Sequence, residues 1–240
     1  MTIVQFNDWN NENAVDKKSN NGRQPEWPLE YMVRIFSSKM FSSLGNIYNK
    51  APLDLFGNNP KVIDIGAGCA NHLRFFLNND CKCTAVDVSE DMCNLAKSSL
   101  EKFGFHDVPV LLGNCENVPV EDNSQDIALV MRSIHYSNGK EGMLKSLNEL
   151  KRILKPNGIS FIQTIGSEDD LKKNSTRLDE FKYRIDDYEF RSGKYMALFD
   201  DDKHFENTLK EFFPHVEIGE LSEKYFDIRF SHYIALCQKK

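Results

Sequence analysis

The chain has 240 residues, a formal net charge of −6 and a pI near 5.6, and 40% of its residues are hydrophobic. That length supports one sizeable core with decorations. Lysines and arginines are scattered among more numerous acids, which argues against a nucleic-acid partner, because neutralising phosphates needs a clustered basic surface.

The six cysteines form no Cys-x-x-Cys pair and no Cys/His set with zinc spacing. Cys81 and Cys83 would share one strand face, a poor chelate alone, so free thiols in a reducing compartment are expected. Residues 1–24 are rich in Asn and charge and read as a flexible segment without the apolar core of a signal peptide. No apolar run approaches the length of a membrane span, so a cytoplasmic protein away from the membrane is expected.

Residues 25–60 read as an amino-terminal helical cap. The stretch 27–43 carries Leu29, Met32, Val33, Ile35, Phe36 and Met40 at helical spacing, and a second short helix is expected over 47–56. From Lys61 the rhythm becomes alternating strand and helix. Val62-Ile63-Asp64-Ile65 is a strand ending in Gly66-Ala67-Gly68, with a helix from Ala70 to Leu77. Residues 83–88 are a second strand, and Ser89 caps a helix reaching Leu100, with Glu90 and Asp91 in its first turn. Further strands are expected at 108–112, 126–131 and 159–164, the last preceded by a helix over 143–154 and a turn at Lys155-Pro156-Asn157-Gly158. Such alternation means parallel βαβ units and a sheet covered on both faces. After Gly166 the pattern loosens. Helices are expected over 177–188 and 204–213, then a closing pair of strands over 216–221 and 231–237.

The turn after the first strand carries the chemistry. Gly66 and Gly68 let the backbone approach a ligand closely. A dinucleotide fingerprint would want a third glycine where this chain has Asn71, and it would leave the strand end apolar. Here Asp64 stands two residues before the first glycine, and a carboxylate there suits a cation better than a pyrophosphate. Asp87 closes the second strand, where an acid accepts from ribose hydroxyls.

The stretch Val62-Ile63-Asp64-Ile65-Gly66-Ala67-Gly68-Cys69-Ala70 resembles the first motif of class I S-adenosylmethionine-dependent methyltransferases. Four later segments match in order: 85–92, 112–127, 127–136 and Leu147-Asn148-Glu149-Leu150-Lys151-Arg152-Ile153-Leu154-Lys155-Pro156-Asn157-Gly158. Together they cover about residues 61–164 and imply a Rossmann-like, doubly wound α/β domain over 61–240. Its seven-stranded sheet would be mostly parallel with an antiparallel last strand, and a helical insert over 166–213 would cap the acceptor site. The resemblance implies S-adenosylmethionine as methyl donor, held by Asp64, Gly66, Ala67 and Gly68 at its methionine end and by Asp87 at its ribose. Val88 and Met92 would flank the adenine, with Asn114, Cys115 and Glu116 at its edge and Met131 and Arg132 on the far side. Asn114 replaces the usual Asp, so the acceptor for the adenine amino group becomes an amide oxygen or a backbone carbonyl.

His135 and Tyr136 follow the fourth strand. His135 is the candidate general base, set against the plainer role of walling the cofactor. The absence of an Asn/Asp-Pro-Pro-aromatic run there argues against DNA and protein-glutamine acceptors. Trp27, Tyr31 and Arg34 on the first helix, with Tyr136 and Tyr195, are the candidate acceptor-binding residues. The first helix also resembles, more loosely, that of methyltransferases of bacterial polysaccharide synthesis. The expected acceptor is therefore a small molecule, a sugar or nucleotide-linked sugar hydroxyl first and an amino sugar or small amine second. A cofactor-binding partner subunit without turnover and a nicotinamide-dependent reductase are the competing classes. Asp200-Asp201-Asp202 reads as a loop or helix cap rather than a metal site. No residue set indicates a metal, although some sugar methyltransferases of this fold use a divalent ion, and a homodimer stays open.

Overall fold

The strand and helix signals become an ordered α/β array in the computed structural model, which describes residues 28–188 and 191–240. The expectations for residues 1–24 and for Trp27 lie outside the described residues. In chain order, α1 (Glu30–Ser37) and α2 (Ser43–Tyr48) precede β1 (Lys61–Ile65), α3 (Leu73–Leu77), β2 (Lys82–Asp87), α4 (Glu90–Lys102) and β3 (Val110–Leu112). Then come β4 (Gln125–Met131), α5 (Gly139–Ile153) and β5 (Leu154–Ile165). The remainder is α6 (Asp170–Lys173), β6 (Ser175–Arg177), β7 (Lys182–Ile185), β8 (Tyr195–Ala197), α7 (Asp202–Lys210), β9 (His215–Tyr225) and β10 (Ile228–Gln238).

The main sheet has the order β3-β2-β1-β4-β5-β10-β9. Strands β1 to β5 pair in parallel, and β10 lies between β5 and β9, antiparallel to both. The strand order reverses between β1 and β4, so the loops leaving their carboxyl ends diverge and open a crevice. No helix among the described residues is long and apolar enough to cross a membrane.

Alternation along each strand divides the core into two layers. Ile63, Ile65, Val86, Val130 and Ile162 face α5 and α7, where they meet Met143, Leu147, Phe205 and Leu209. Val62, Ala85, Leu129 and Phe161 face α1, α3 and α4, meeting Met32, Phe36, Leu73, Phe76 and Leu100. Because Asp64 has the parity of Val62, its side chain is carried to this second layer.

Local chemistry shifts several boundaries. The first helix stops at Ser37, because Ser38 is extended and its hydroxyl accepts from Met40 N, while Ser42 accepts from Gly45 N and starts α2. Serines that bond their own backbone favour ends over interiors. The helix after β1 begins at Leu73 rather than Ala70, since Ala70 takes a left-handed φ of 55° and lengthens the loop. The turn 155–158 is a bulge inside β5, where the pairing with β4 jumps from Gln125/Leu154 to Ile127/Ile159.

The insert corrects the expectation of a helical layer. Residues 175–177, 182–185 and 195–197 form a three-stranded antiparallel sheet, with short α6 before it and α7 after it. Tyr183 and Ile185 are buried on either side of exposed Arg184, a period of two that β-branched and aromatic residues support.

The docking of α1 rests on Phe36, fully buried with its ring 5.1 Å from that of Phe76 and 5.7 Å from that of Phe161, both edge-on. Phe36→Ala should cost about 3–5 kcal/mol through the lost transfer energy and the cavity left behind. Urea unfolding measures it, and a loss below about 1 kcal/mol would mean that α1 contributes little to the core.

Candidate functional site

The crevice is built from backbone first. Gly66 N and Ala67 N both donate to Val86 O, at 2.8 and 3.0 Å, which fastens the loop after β1 to β2. Gly66 has a φ of +77°, and a Cβ there would lie 2.4 Å from Ser133 Cβ. Ser133 in turn donates its hydroxyl to Ile65 O at 2.6 Å, closing the loop after β4 onto β1. Glycine is thus required at 66 on two counts, sterics and dihedral.

Beside this contact is a pocket of about 60 Å³ lined by Gly66, Asp87, Val88, Gly113, Asn114, Cys115, Arg132, Ser133, Tyr136 and Ser137. Asp87 accepts from Gly68 N and Val88 N, each at 2.7 Å and on different oxygens. Each oxygen keeps a second lone pair for a hydroxyl. Asn114 accepts from Glu116 N at 2.8 Å and Asn117 N at 3.0 Å through one side-chain oxygen. That oxygen is committed to the turn, which leaves a backbone carbonyl as the acceptor for an amino group. The Cys115 thiol is pushed up to about 12, chiefly by burial, and packs as a neutral group against the Ser133 hydroxyl. Glu116 accepts from Asn138 N at 3.0 Å and fills the space beside Gly142, anchoring the start of α5.

Asp64 is fully buried, and neither of its carboxylate oxygens has a hydrogen-bond partner among the described residues. Burial, and then the charge of Asp87, push its carboxyl up to about 8. An ionised carboxylate in such a place is costly unless a cation joins it. The donor implied by the sequence offers an ammonium and a sulfonium and no phosphate, so its charges fit this residue.

A second cavity, of about 380 Å³, adjoins the first and shares Gly66, Arg132 and Tyr136 with it. Ala67, Gly68, Met92, Met131 and His135 contribute to its wall, with Asn71, His72, Asp169, Arg191 and His232. His135 is buried on a single turn (Ile134–Tyr136), its ring 4.6 Å from that of Tyr136. His72 and His232 are both held down to about 4, first by burial and then by the nearby Arg132 charge. Sequence reasoning missed Ser133, His72 and His232. The two histidines come from a loop and from β10, far apart in the chain, and only the sheet order unites them.

A third cavity, of about 600 Å³, lies between α1 and the β9–β10 hairpin and takes in Tyr31, Arg34, Arg132, Gln163, Tyr225 and His232. Tyr31 donates to Gln163 Oε1 at 2.7 Å, and exposed Arg34 pairs with Glu30 at 2.5 Å. Tyr31 and Arg34 are therefore set apart from the glycine loop. Tyr195 is 42% exposed, with Lys182 Nζ 4.7 Å over its ring, and lines none of the three cavities. Among the three adjacent acids, Asp200 pairs with Arg177 at 2.8 Å and Asp201 caps α7 by accepting from His204 N at 2.7 Å. Among the described residues no group of three His, Cys, Asp or Glu side chains is disposed to hold a metal.

Asp64 yields a prediction with a definite sign. Its folded pKa lies above the unfolded value of 3.8, so the folded state binds the extra proton and loses stability as pH rises from about 4 to about 8. Asp64→Asn removes that loss. Its melting temperature should pass that of the parent by a margin that widens from pH 5 to pH 8, while its affinity for S-adenosylmethionine drops roughly tenfold or more, about 1.4 kcal/mol. Parallel melting curves at both pH values would show that Asp64 is already partnered.

Residues 62–158 match the methyltransferase domain family. The methyltransferase YcgJ of Bacillus subtilis is 30% identical over 98 residues, which are 41% of this chain and 38% of that protein. The chain thus spans well under half the length of this curated relative. A SAM-dependent methyltransferase from Methanosarcina mazei superposes with a TM-score of 0.60 at 16% identity, over 81% of this chain and 96% of that one. The 1,6-didemethyltoxoflavin-N1-methyltransferase of Burkholderia thailandensis, with bound 1,6-didemethyltoxoflavin and S-adenosylhomocysteine, gives 0.57 at 16% identity, over 77% and 72%. Residues 62–158 thus carry a methyltransferase domain, set in a sheet whose fold is shared with these solved structures.

Proposed function

We propose that this protein transfers a methyl group from S-adenosylmethionine to a small-molecule acceptor, and that the acceptor atom is a hydroxyl of a sugar or nucleotide-linked sugar. The observation that carries the methyl-transfer reading is the buried, unpartnered Asp64 carboxyl behind a glycine loop at the sheet's reversal point. The nucleoside would lie against Asp87, Val88, Asn114 and Cys115, and the methionine end along Gly66, Ala67 and Gly68. Met92 and Met131 border the second cavity and would flank the donor there. The acceptor would occupy the remainder of that cavity, with Asp169, Leu171, Tyr188 and Arg191 of the 166–213 insert as its cover.

When bound, the donor supplies a methyl already activated on a sulfonium. The protein's residues then have to align the acceptor oxygen with it and exclude water. A hydroxyl acceptor benefits from a base that takes its proton. His72 and His232, held near 4, bind protons too weakly for that task at neutral pH. His135 is the remaining imidazole on the cavity wall, with the tilted ring of Tyr136 4.6 Å away.

Thermal shift with S-adenosylhomocysteine, NAD and NADP tests the cofactor class. S-adenosylhomocysteine at a hundred times its Kd should stabilise the fold by about 2.7 kcal/mol. Stabilisation by NAD alone would replace the methyltransferase reading with a reductase. For the base, His135→Ala should lower kcat roughly 100-fold or more against a sugar-nucleotide panel, read as methyl mass gain, with donor affinity retained. Unchanged turnover would leave His135 as a wall of the pocket.

A further inference from the structure

We infer that the acceptor carries an oxyanion, a carboxylate or a phosphate, bound by Arg132 where the second and third cavities meet. This rests on the methyl-transfer reading and narrows its acceptor.

Arg132 is the residue common to all three cavities. The second and third also share Leu29, Phe230 and His232, so together they form one groove from the glycine loop to the gap between α1 and the hairpin. Its backbone has a φ of 57°, a conformation that side chains other than glycine and asparagine rarely adopt. Arg132 N donates to Gln163 O at 2.9 Å, which holds this conformation in place.

The charge of Arg132 is not spent among the described residues. Arg34, Arg152, Arg177 and Arg184 each hold a carboxylate. The guanidinium of Arg132 has no such partner among the described residues. The acids along the groove are already engaged: Glu30 with Arg34, Glu223 with the Tyr225 hydroxyl, and Asp169 with Leu171 N and Ser231 N. Asp87, by the small pocket, accepts from two backbone amides. What remains is a planar cation able to grip an oxyanion with two parallel hydrogen bonds. His72 adds a buried Nδ1 with no hydrogen-bond partner among the described residues, on the wall of the same groove. Both His72 and His232 stay uncharged near pH 7, so either can donate to an anion without titrating.

The other anion at hand is the donor's own carboxylate. The third cavity has no glycine-loop residue in its wall, yet Arg132 lines it beside Tyr31 and His232, whose ionisation its charge shifts. Arg132 therefore borders the side of the groove away from the donor as well as the donor's own pocket.

The test uses the full chain saturated with S-adenosylhomocysteine and titrated calorimetrically with phenyl phosphate, benzoate and, as the uncharged control, benzyl alcohol. At least one anion should bind and the alcohol should not, and the stronger anion tells phosphate from carboxylate. Arg132→Asn, which suits the left-handed backbone and so keeps the fold, should weaken that anion at least tenfold, and by more than it weakens S-adenosylhomocysteine. Arg132→Lys should lose less. Equal anion binding by Arg132→Asn and the parent overturns the proposal, as does binding of neither anion. So does a variant that loses S-adenosylhomocysteine but keeps 5′-methylthioadenosine, which lacks the amino-acid tail, because Arg132 would then serve the donor. If the parent chain binds no S-adenosylhomocysteine, the methyl-transfer reading itself falls and takes this acceptor with it.

Discussion

Two loops that leave neighbouring strands in opposite directions must pass within van der Waals distance of each other at Gly66 and Ser133. The Ser133 side chain occupies the place a Cβ would take on Gly66, and its hydroxyl holds the Ile65 carbonyl at 2.6 Å. This contact sets the distance between the β1 and β4 loops. Through the Gly66 and Ala67 bonds to Val86 O it also sets the position of β2's end, where Asp87 receives Gly68 N. The small pocket and the large cavity both have Gly66 in their walls, and Arg132 stands directly before Ser133. A single methyl group there would separate the loops and open the site.

Asp64 lies in a layer otherwise made of Met32, Phe36, Leu73 and Phe161, and no backbone amide turns toward it. Folding tolerates the residue by leaving it protonated, and so forgoes stability that an apolar side chain would supply. Sites that hold a cation commonly carry this kind of local cost. The loss is confined to one residue because the neighbouring acid, Asp87, is compensated by two amides.

Where sequence could be read, chemistry was local. The apolar run at 62–65, its glycines and the capping serine at 89 act within a few residues of themselves, and the strands and helices of 61–164 follow from them. The insert escaped because Tyr183 and Ile185 alternate over only four residues, too short a run to separate a strand from a helix turn among so many charges. The hydrogen bonds of Asn114 and Glu116 depend on Asn117 N and Asn138 N, which the fold brings to them. His72 and His232 left no signal, since each is an ordinary polar residue until β10 inserts beside β5.

This contrast between local and assembled features divides the site in two. The donor half is made by consecutive residues at strand ends, where glycine dihedrals and amide directions are written into short motifs, and one such motif suffices to specify each contact. The half that would take the acceptor under the proposed function is made by α1, the 166–213 insert and the hairpin, which reach the groove from three separate parts of the chain. Arg132 belongs to both, being one residue past β4 in sequence and at the junction of the cavities in space. A donor shared by many enzymes needs a constant frame, whereas acceptor choice needs surfaces that can change without disturbing it. Placing the groove's walls on elements outside β1 to β4 satisfies both demands, because substitutions in the hairpin or the insert leave the Gly66–Ser133 contact intact.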